Sequence, residues 1–500
     1  MNQQALTDLK HRLREMTDID LANSVLGWDQ ATMLADGGAA QRGRMMATLS
    51  KLSHEIMTSH ETGKLIDQLS DWAHGQPAAN TDAAFVREAK RQRDLLVKVP
   101  TSLAIEMSEH YSALYTAWAA ARPKNDFKSV EAGLTKAIEL NQRFADCFKD
   151  SAHPLDALIQ YSDNGMTVDK VSRLFADLRE SLVPLVRKIA GATQIDDSCL
   201  KGEFPAEAQL EFCKKIAARL GYDFNRGRMD ISPHPFMTRL SGGDIRITTR
   251  TRPDDLTDCL FSVIHEVGHA LYELGINPEF DGNILAQGAS CGIHESQSRL
   301  WENRVGRGKA FWDYFYPVLR DTFPHFMEIG EDEFLRAINK VEPGLIRVDA
   351  DEVTYNLHVM IRFDFERDMI EGKLKVKDLP EAWNARYKSD LNVVVPSLKD
   401  GCMQDVHWFG GRLGYFQGYT IGNILSAQLY DAAERKMGDL SQDFSKGDFS
   451  RLLGWLNTNL HQYGCSRSPD ELIKSATGEN LTLKPYMSYL TRKYEKLYGL

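Results

Sequence analysis

Two histidines four residues apart, with a glutamate beside the first, are the side chains in this sequence best suited to chemistry: His265-Glu266-Val267-Gly268-His269. On a helix, positions i and i+4 lie one turn apart on nearly the same face, so both imidazoles can point at one cation. Glu266 sits about 100° round the helix and stays free to accept a proton. This is the pattern of a hydrolytic zinc site, which takes three protein ligands and keeps a fourth position open for water. A second cluster, His294-Glu295-Ser296-Gln297-Ser298-Arg299-Leu300-Trp301-Glu302, supplies the third, and Glu295 is the expected ligand. His294 cannot share the direction of Glu295 from one helix and reads as support or packing. Glu302, two turns on, reads as an acceptor for a ligand imidazole or as a surface charge.

The elements that must hold these residues follow from periodicity. Leu256, Leu260, Val263, Val267, Leu271 and Leu274 recur at spacings of three and four, which predicts a helix carrying both histidines. Pro253-Asp254-Asp255 offers a first-turn proline with acids at the positive end of the dipole, and Gly275 a stop. Upstream, Pro233-His234-Pro235-Phe236 precedes Gly242-Gly243 and the alternating Asp244-Ile245-Arg246-Ile247-Thr248-Thr249-Arg250. A short antiparallel β element is expected there, either as an edge against which an extended substrate pairs or as a bracing hairpin with Asp244 and Arg246 on one face.

Residues 1–190 read as helices: Asn2 to Glu15, Gln41 to Leu69, Ala83 to Lys98, and Leu103 to Phe148 broken near Pro123. The Leu26-Gly27-Trp28-Asp29 segment reads as a helix cap. Beyond the second motif, a helix is expected to run from the Leu345–His358 stretch to about Glu371, followed by two glycine-punctuated polar segments, 401–408 and 414–423. The expected fold is mainly α, one domain over 1–500, with a helical subdomain at 1–190 and a zinc-binding catalytic subdomain at 191–500.

Composition narrows the class. The chain is 43% hydrophobic and 26% charged, with a mean hydropathy of -0.38 and no apolar run near the roughly 20 residues that span a bilayer. The N-terminal residues lack a secretion-signal layout, and seven scattered cysteines never form a C-x-x-C pair, so a reducing cytoplasm is expected and a thiolate metal site is not. A net charge of -10 argues against nucleic acid as a partner.

With those residues identified, the chain resembles the carboxypeptidase Taq family of zinc carboxypeptidases. Five motifs occur in the family's order: His234-Pro235-Phe236, Asp244-x-Arg246-x-Thr248, His265-Glu266-x-x-His269, His294-Glu295-Ser296-Gln297-Ser298, and Gln404-Asp405-x-His407-Trp408. The resemblance implies a neurolysin-like helical fold with a deep substrate groove, a homodimer, and release of single residues from peptide C-termini. The family tends to carry Pro-Thr or Pro-Ser where this chain has Gln417-Gly418, which bears on the reach of Tyr419.

Roles follow from these residues. Zinc, with cobalt or manganese as possible substitutes, is expected on His265, His269 and Glu295, with Glu266 as general base. Tyr419, Tyr415 and His407 are candidate donors to the developing oxyanion. Arg347 is the first candidate for the terminal carboxylate of a peptide substrate, with Arg246 and Arg412 as alternatives, while His234 and Asp244 are expected along the groove. Two other readings remain open: an oligopeptidase or endopeptidase with the same centre, and a non-catalytic peptide-binding protein keeping a structural metal. Retention of Glu266 speaks against the latter.

Overall fold

The apolar stripe around the histidine pair folds as the helix it predicts, and the rest of the molecule is arranged to bury it. The computed structural model describes residues 2–500, among which there are twenty α-helices and one three-stranded sheet. In chain order the helices are α1 (Gln3–Thr32), α2 (Ala39–Thr58), α3 (His60–His74), α4 (Thr81–Val97), α5 (Thr101–Ala121), α6 (Lys128–Ala145), α7 (Pro154–Ser162), α8 (Val168–Gly191) and α9 (Ala206–Leu220). After the strands come α10 (Leu256–Leu274), α11 (Cys291–Arg299), α12 (Lys309–Thr322), α13 (Glu331–Ile338), α14 (Tyr355–Ile370), α15 (Leu379–Asp390) and α16 (Gln417–Met437). Four more close the chain: α17 (Ser441–Phe444), α18 (Ser450–Asn459), α19 (Pro469–Thr477) and α20 (Lys484–Tyr498).

Several local expectations change. The first helix runs unbroken to Thr32, so Trp28 and Asp29 lie in its last turn rather than at a cap. The segment expected as one helix from Gln41 to Leu69 is two, because Ser59 leaves helical geometry and its hydroxyl caps Thr62 N–H. Pro253 stays outside α10, whose N-cap is Asp255, accepting from Thr257 N–H.

The sheet is mixed rather than purely antiparallel. Strands β2 (Met237–Ser241) and β3 (Asp244–Thr249) form the expected hairpin, and β1 (Met229–Ile231) joins the other side of β3 in parallel, giving the order β1-β3-β2. The period-two pattern decides its faces: Ile245 and Ile247 are fully buried while Asp244 and Arg246 remain partly exposed.

Three apolar clusters form the core. One joins α1, α3 and α4 to Ile276–Leu285, and a second gathers α9, the sheet, α10 to α13 and part of α16. The third packs α5 to α8 against α14, α15, the first turns of α16 and α20. That third cluster extends from Leu114 to Tyr494 and so includes residues on both sides of position 190. On α10, Leu260, Val263, Ile264, Val267 and Ala270 are all fully buried, and each larger side chain contributes about 1.5–3 kcal/mol by leaving water.

Candidate metal centre

Three side-chain atoms converge at the centre: His265 Nε2, His269 Nε2 and Glu295 Oε2. Glu295 Oε2 lies 3.6 Å from the first nitrogen and 3.5 Å from the second. Tetrahedral bonds of about 2.1 Å give ligand-to-ligand edges of about 3.4 Å, so the donor set fits a small divalent ion. The other atom of each ligand is already engaged. His265 Nδ1 is 2.9 Å from Glu302 Oε2, and Arg299 Nε donates to Glu295 Oε1 at 2.7 Å. His269 Nδ1 lies 2.6 Å from His294 Nδ1, and His294 Nε2 lies 2.9 Å from Glu273 Oε1. Only one tautomer of each ring satisfies this network: Nδ1 of each ligand carries the proton and both Nε2 lone pairs face the centre.

At His269 and Glu295 the charges suit that state, whereas His265 leans toward its protonated form. Burial holds His269 neutral down to about pH 3. Burial opposes protonation of His265 too, but Glu295 and Glu302 more than offset it and raise its basicity. Glu295 would be raised by burial, yet Arg299 and the two imidazoles hold it far below the usual carboxylate range. Glu302, likewise buried, is brought down to about 2 by Arg299 and His265.

Glu295 reaches the histidines because α11 is clamped between two glycines. A Cβ on Gly268 of α10 would lie 2.6 Å from Ser298 Cα, and one on Gly422 of α16 would lie 2.5 Å from Glu295 Cβ. No larger residue lets the three helices approach so closely. Beyond Arg299 the helix widens into a π-helical stretch, Leu300–Val305, which carries Glu302 to His265.

The centre lies in the wall of a cleft of about 580 Å³, lined by Pro235, Phe236 and Met237 on one side and by Tyr415, Gly418 and Tyr419 on another. Glu266 also lines it, with no hydrogen-bond partner for its carboxyl among the described residues, and burial raises that carboxyl to about 7. Behind Tyr419, His407 Nε2 is 3.4 Å from the phenol oxygen, and burial with Arg347 nearby keeps His407 neutral to about pH 3. Burial also holds the Tyr419 phenol protonated well beyond its ordinary range.

The cleft therefore brings together His265, Glu266, His269, Glu295, Tyr415 and Tyr419, with His407 one layer back. The other expected contacts lie outside its lining. His234 is exposed, and it is its neighbours Pro235 and Phe236 that face the cleft. Asp244 and Arg246 pair with each other at 2.7 and 2.9 Å beneath the Trp28 ring, bracing β3 against α1. Arg347 is buried, with Nε 3.0 Å from Asp405 Oδ1 and Nη1 3.0 Å from the Tyr355 hydroxyl; its guanidinium lies 5.2 Å from the Tyr419 ring centre. The one acid that pairs it is Asp405, not Asp349 or Asp351, which lie nearer in the chain.

Two contributors carried little sequence signal. Arg299 is readable only as a basic residue four after Glu295. Asp163, in a plain turn between α7 and α8, is buried and accepts from Gly292 N–H at 2.7 Å and from Gln417 Nε2 at 3.0 Å. It ties the start of the helix bearing Glu295 to the start of the helix bearing Tyr419. Gln417 and Gly418 thereby acquire a use, since a Cβ on Gly418 would lie 2.9 Å from Asp163 Oδ2.

Comparison with known proteins fits this geometry. The family model described as carboxypeptidase Taq (M32) metallopeptidase matches residues 8–494. Thermostable carboxypeptidase 1 of Thermus thermophilus is 37% identical over 97% of both chains, and carboxypeptidase 1 of Bacillus subtilis is 37% identical over 98% of this chain and 97% of its own. The crystal structure of an M32 carboxypeptidase from Deinococcus radiodurans superposes with a TM-score of 0.96 at 45% identity, covering all of both chains. The structure of Pyrococcus furiosus carboxypeptidase gives a TM-score of 0.95 at 34% identity over 99% of each chain.

Proposed function

The chain belongs to the carboxypeptidase Taq (M32) family and is a metallocarboxypeptidase, and on that premise we propose that it releases single C-terminal residues from peptides using zinc held by His265, His269 and Glu295, with Glu266 as general base. The observation that carries this reading is the meeting of two Nε2 lone pairs and one carboxylate oxygen 3.5–3.6 Å from each nitrogen, beside an unpartnered Glu266 in the same cleft. A bound divalent ion would supply activation of a water and polarisation of the scissile carbonyl.

The chain's own residues do the rest. Glu266 takes the proton of the attacking water and returns it to the leaving amine. Tyr419, kept protonated and backed by His407, donates toward the oxygen on which negative charge develops, a contribution of about 3 kcal/mol for one well-aimed donor. Arg347, behind the Tyr419 ring and outside the cleft lining, is held by Asp405 and Tyr355 with one N–H left on each Nη atom, and it is the arginine we propose for the substrate carboxylate. Pro235, Phe236 and Met237 offer apolar contact to the peptide. The homodimer and cytoplasmic location expected from the sequence belong to the same proposal; no helix of the described residues is long and apolar enough to cross a membrane.

Mass spectrometry of a mixed peptide pool tests it, with and without chelator and with Glu266→Gln as control. Stepwise C-terminal loss that stops on chelation or in Glu266→Gln is expected. Internal cuts, or equal attack on C-terminally amidated peptides, would overturn the carboxypeptidase assignment.

A further inference from the structure

The π-helical stretch Leu300–Val305 has two sides. Glu302 faces His265, while Asn303 and Arg304 line a separate cavity of about 530 Å³ between the start of α12, α13 and α20. In a chain of net charge -10 this concavity is basic: Arg304, Arg307, Lys309, Arg336, Lys493 and Lys496 line it, with Asp332 the single acid among the lining residues. The acids that pair the inner cations, Asp431 with Arg304, Glu302 with Arg307 and Glu352 with Lys493, all lie outside the lining.

Its polar capacity is not used up. Arg307 Nε is buried without a hydrogen-bond acceptor among the described residues. At the rim, Lys309 is already held by Asp313 and Glu331, whereas Arg336 donates only to the Leu497 carbonyl and Lys496 makes no ion pair among those residues. The floor is rigid, with the Arg304 guanidinium held between the Tyr430 and Tyr489 rings at 4.3 and 3.9 Å. Guanidinium forks held in place beside an unpaired ammonium group recognise clustered anionic oxygens.

We propose that this cavity is a second ligand site for a small tetrahedral dianion, a phosphate or the phosphate group of a small metabolite, and that Arg307 links its occupancy to the metal centre. Arg307 lies 3.7 Å from Glu302, the acceptor that orients His265, and donates to the Ile338 carbonyl on the cavity side. A dianion in the cavity competes with Glu302 for that guanidinium. Glu302 then relies on Arg299 and His265 alone, which changes how firmly His265 is held.

The test uses the metal-loaded full chain with orthophosphate and a simple phosphomonoester, with sulfate as a further dianion and chloride at matched ionic strength as control. Isothermal titration reads binding, and kcat/KM on a short peptide reads the link. The comparison variant is Arg336→Gln/Lys496→Gln, two exposed rim positions remote from the cleft. Saturable binding of phosphate to the parent, weakened at least tenfold in the double variant, is the expected result, together with a change in kcat/KM that the double variant lacks. Absence of saturable binding, or equal binding by the double variant, overturns the site. Binding with kcat/KM unmoved overturns the link to His265. A response to sulfate but not to a phosphomonoester would show an inorganic anion site and overturn the metabolite assignment.

Discussion

Replacing Gly422 by alanine adds one methyl group and should loosen the metal. The new Cβ would lie 2.5 Å from both Cβ and Cγ of Glu295 and 3.0 Å from its carbonyl carbon. Non-bonded carbons rest about 3.5–4.0 Å apart, so α11 and α16 must separate by about 1 Å. α11 cannot retreat far, because Gly268 of α10 presses on Ser298 and Gln297 from the other side. Alanine favours the helical state by about 1 kcal/mol over glycine, and overpacking costs about 1–3 kcal/mol, so the fold should lose at most about 2 kcal/mol. Metal geometry is less forgiving: bond lengths tolerate about 0.2 Å, and a shift several times larger at Glu295 should weaken zinc binding by at least about tenfold. Competition against a fluorescent chelator reads the affinity, and thermal unfolding of the metal-free protein separates it from global damage. A folded Gly422→Ala protein with parental zinc affinity would refute the idea that helix contact, rather than side-chain freedom, sets the position of Glu295.

Further outcomes are expected. Glu302→Gln should lower zinc affinity about 10- to 100-fold while leaving the fold intact, read by the same competition; parental affinity would mean that His265 needs no charged acceptor. Glu266→Gln should keep its metal and lose about 10²- to 10⁴-fold in kcat, read by peptide hydrolysis and metal analysis on one sample; residual activity near parental would remove Glu266 from the chemistry. Glu366, fully buried and accepting from Trp408 Nε1 at 2.8 Å and Gly414 N–H at 3.0 Å, is raised by burial from 4.5 to about 8. Its folded form thus favours the proton: the associated stability is fully present below about pH 4.5 and is lost as pH rises through 8, by an upper bound of about 5 kcal/mol. Urea unfolding of Glu366→Gln should show a flatter decline between pH 5 and 8, and parallel profiles would contradict the assignment.

What the sequence made legible is what periodicity and spacing encode. The helix bearing His265 and His269, the hairpin beside it and the mainly α class follow from local pattern, because each depends on residues close in the chain. The position of Glu295 was readable only as a plausible acid, since its reach depends on two glycines from other helices, 27 residues before it and 127 after it. Asp163 and β1 were invisible for the same reason: each acts through partners distant in sequence, Gly292 and Gln417 for one, β3 for the other. Arg347 was legible as a candidate for a carboxylate, yet its charge is met by Asp405, which folding brings from 58 positions away. Pro253 misled because the dipole-favoured acid at α10 is the cap itself.

Diffraction from crystals of the zinc-loaded protein, recorded on both sides of the zinc absorption edge, tests the proposed centre most directly. One anomalous peak within about 2.1 Å of His265 Nε2, His269 Nε2 and a Glu295 carboxylate oxygen is expected. A peak elsewhere, or none at this position in protein that still hydrolyses peptides, would contradict it.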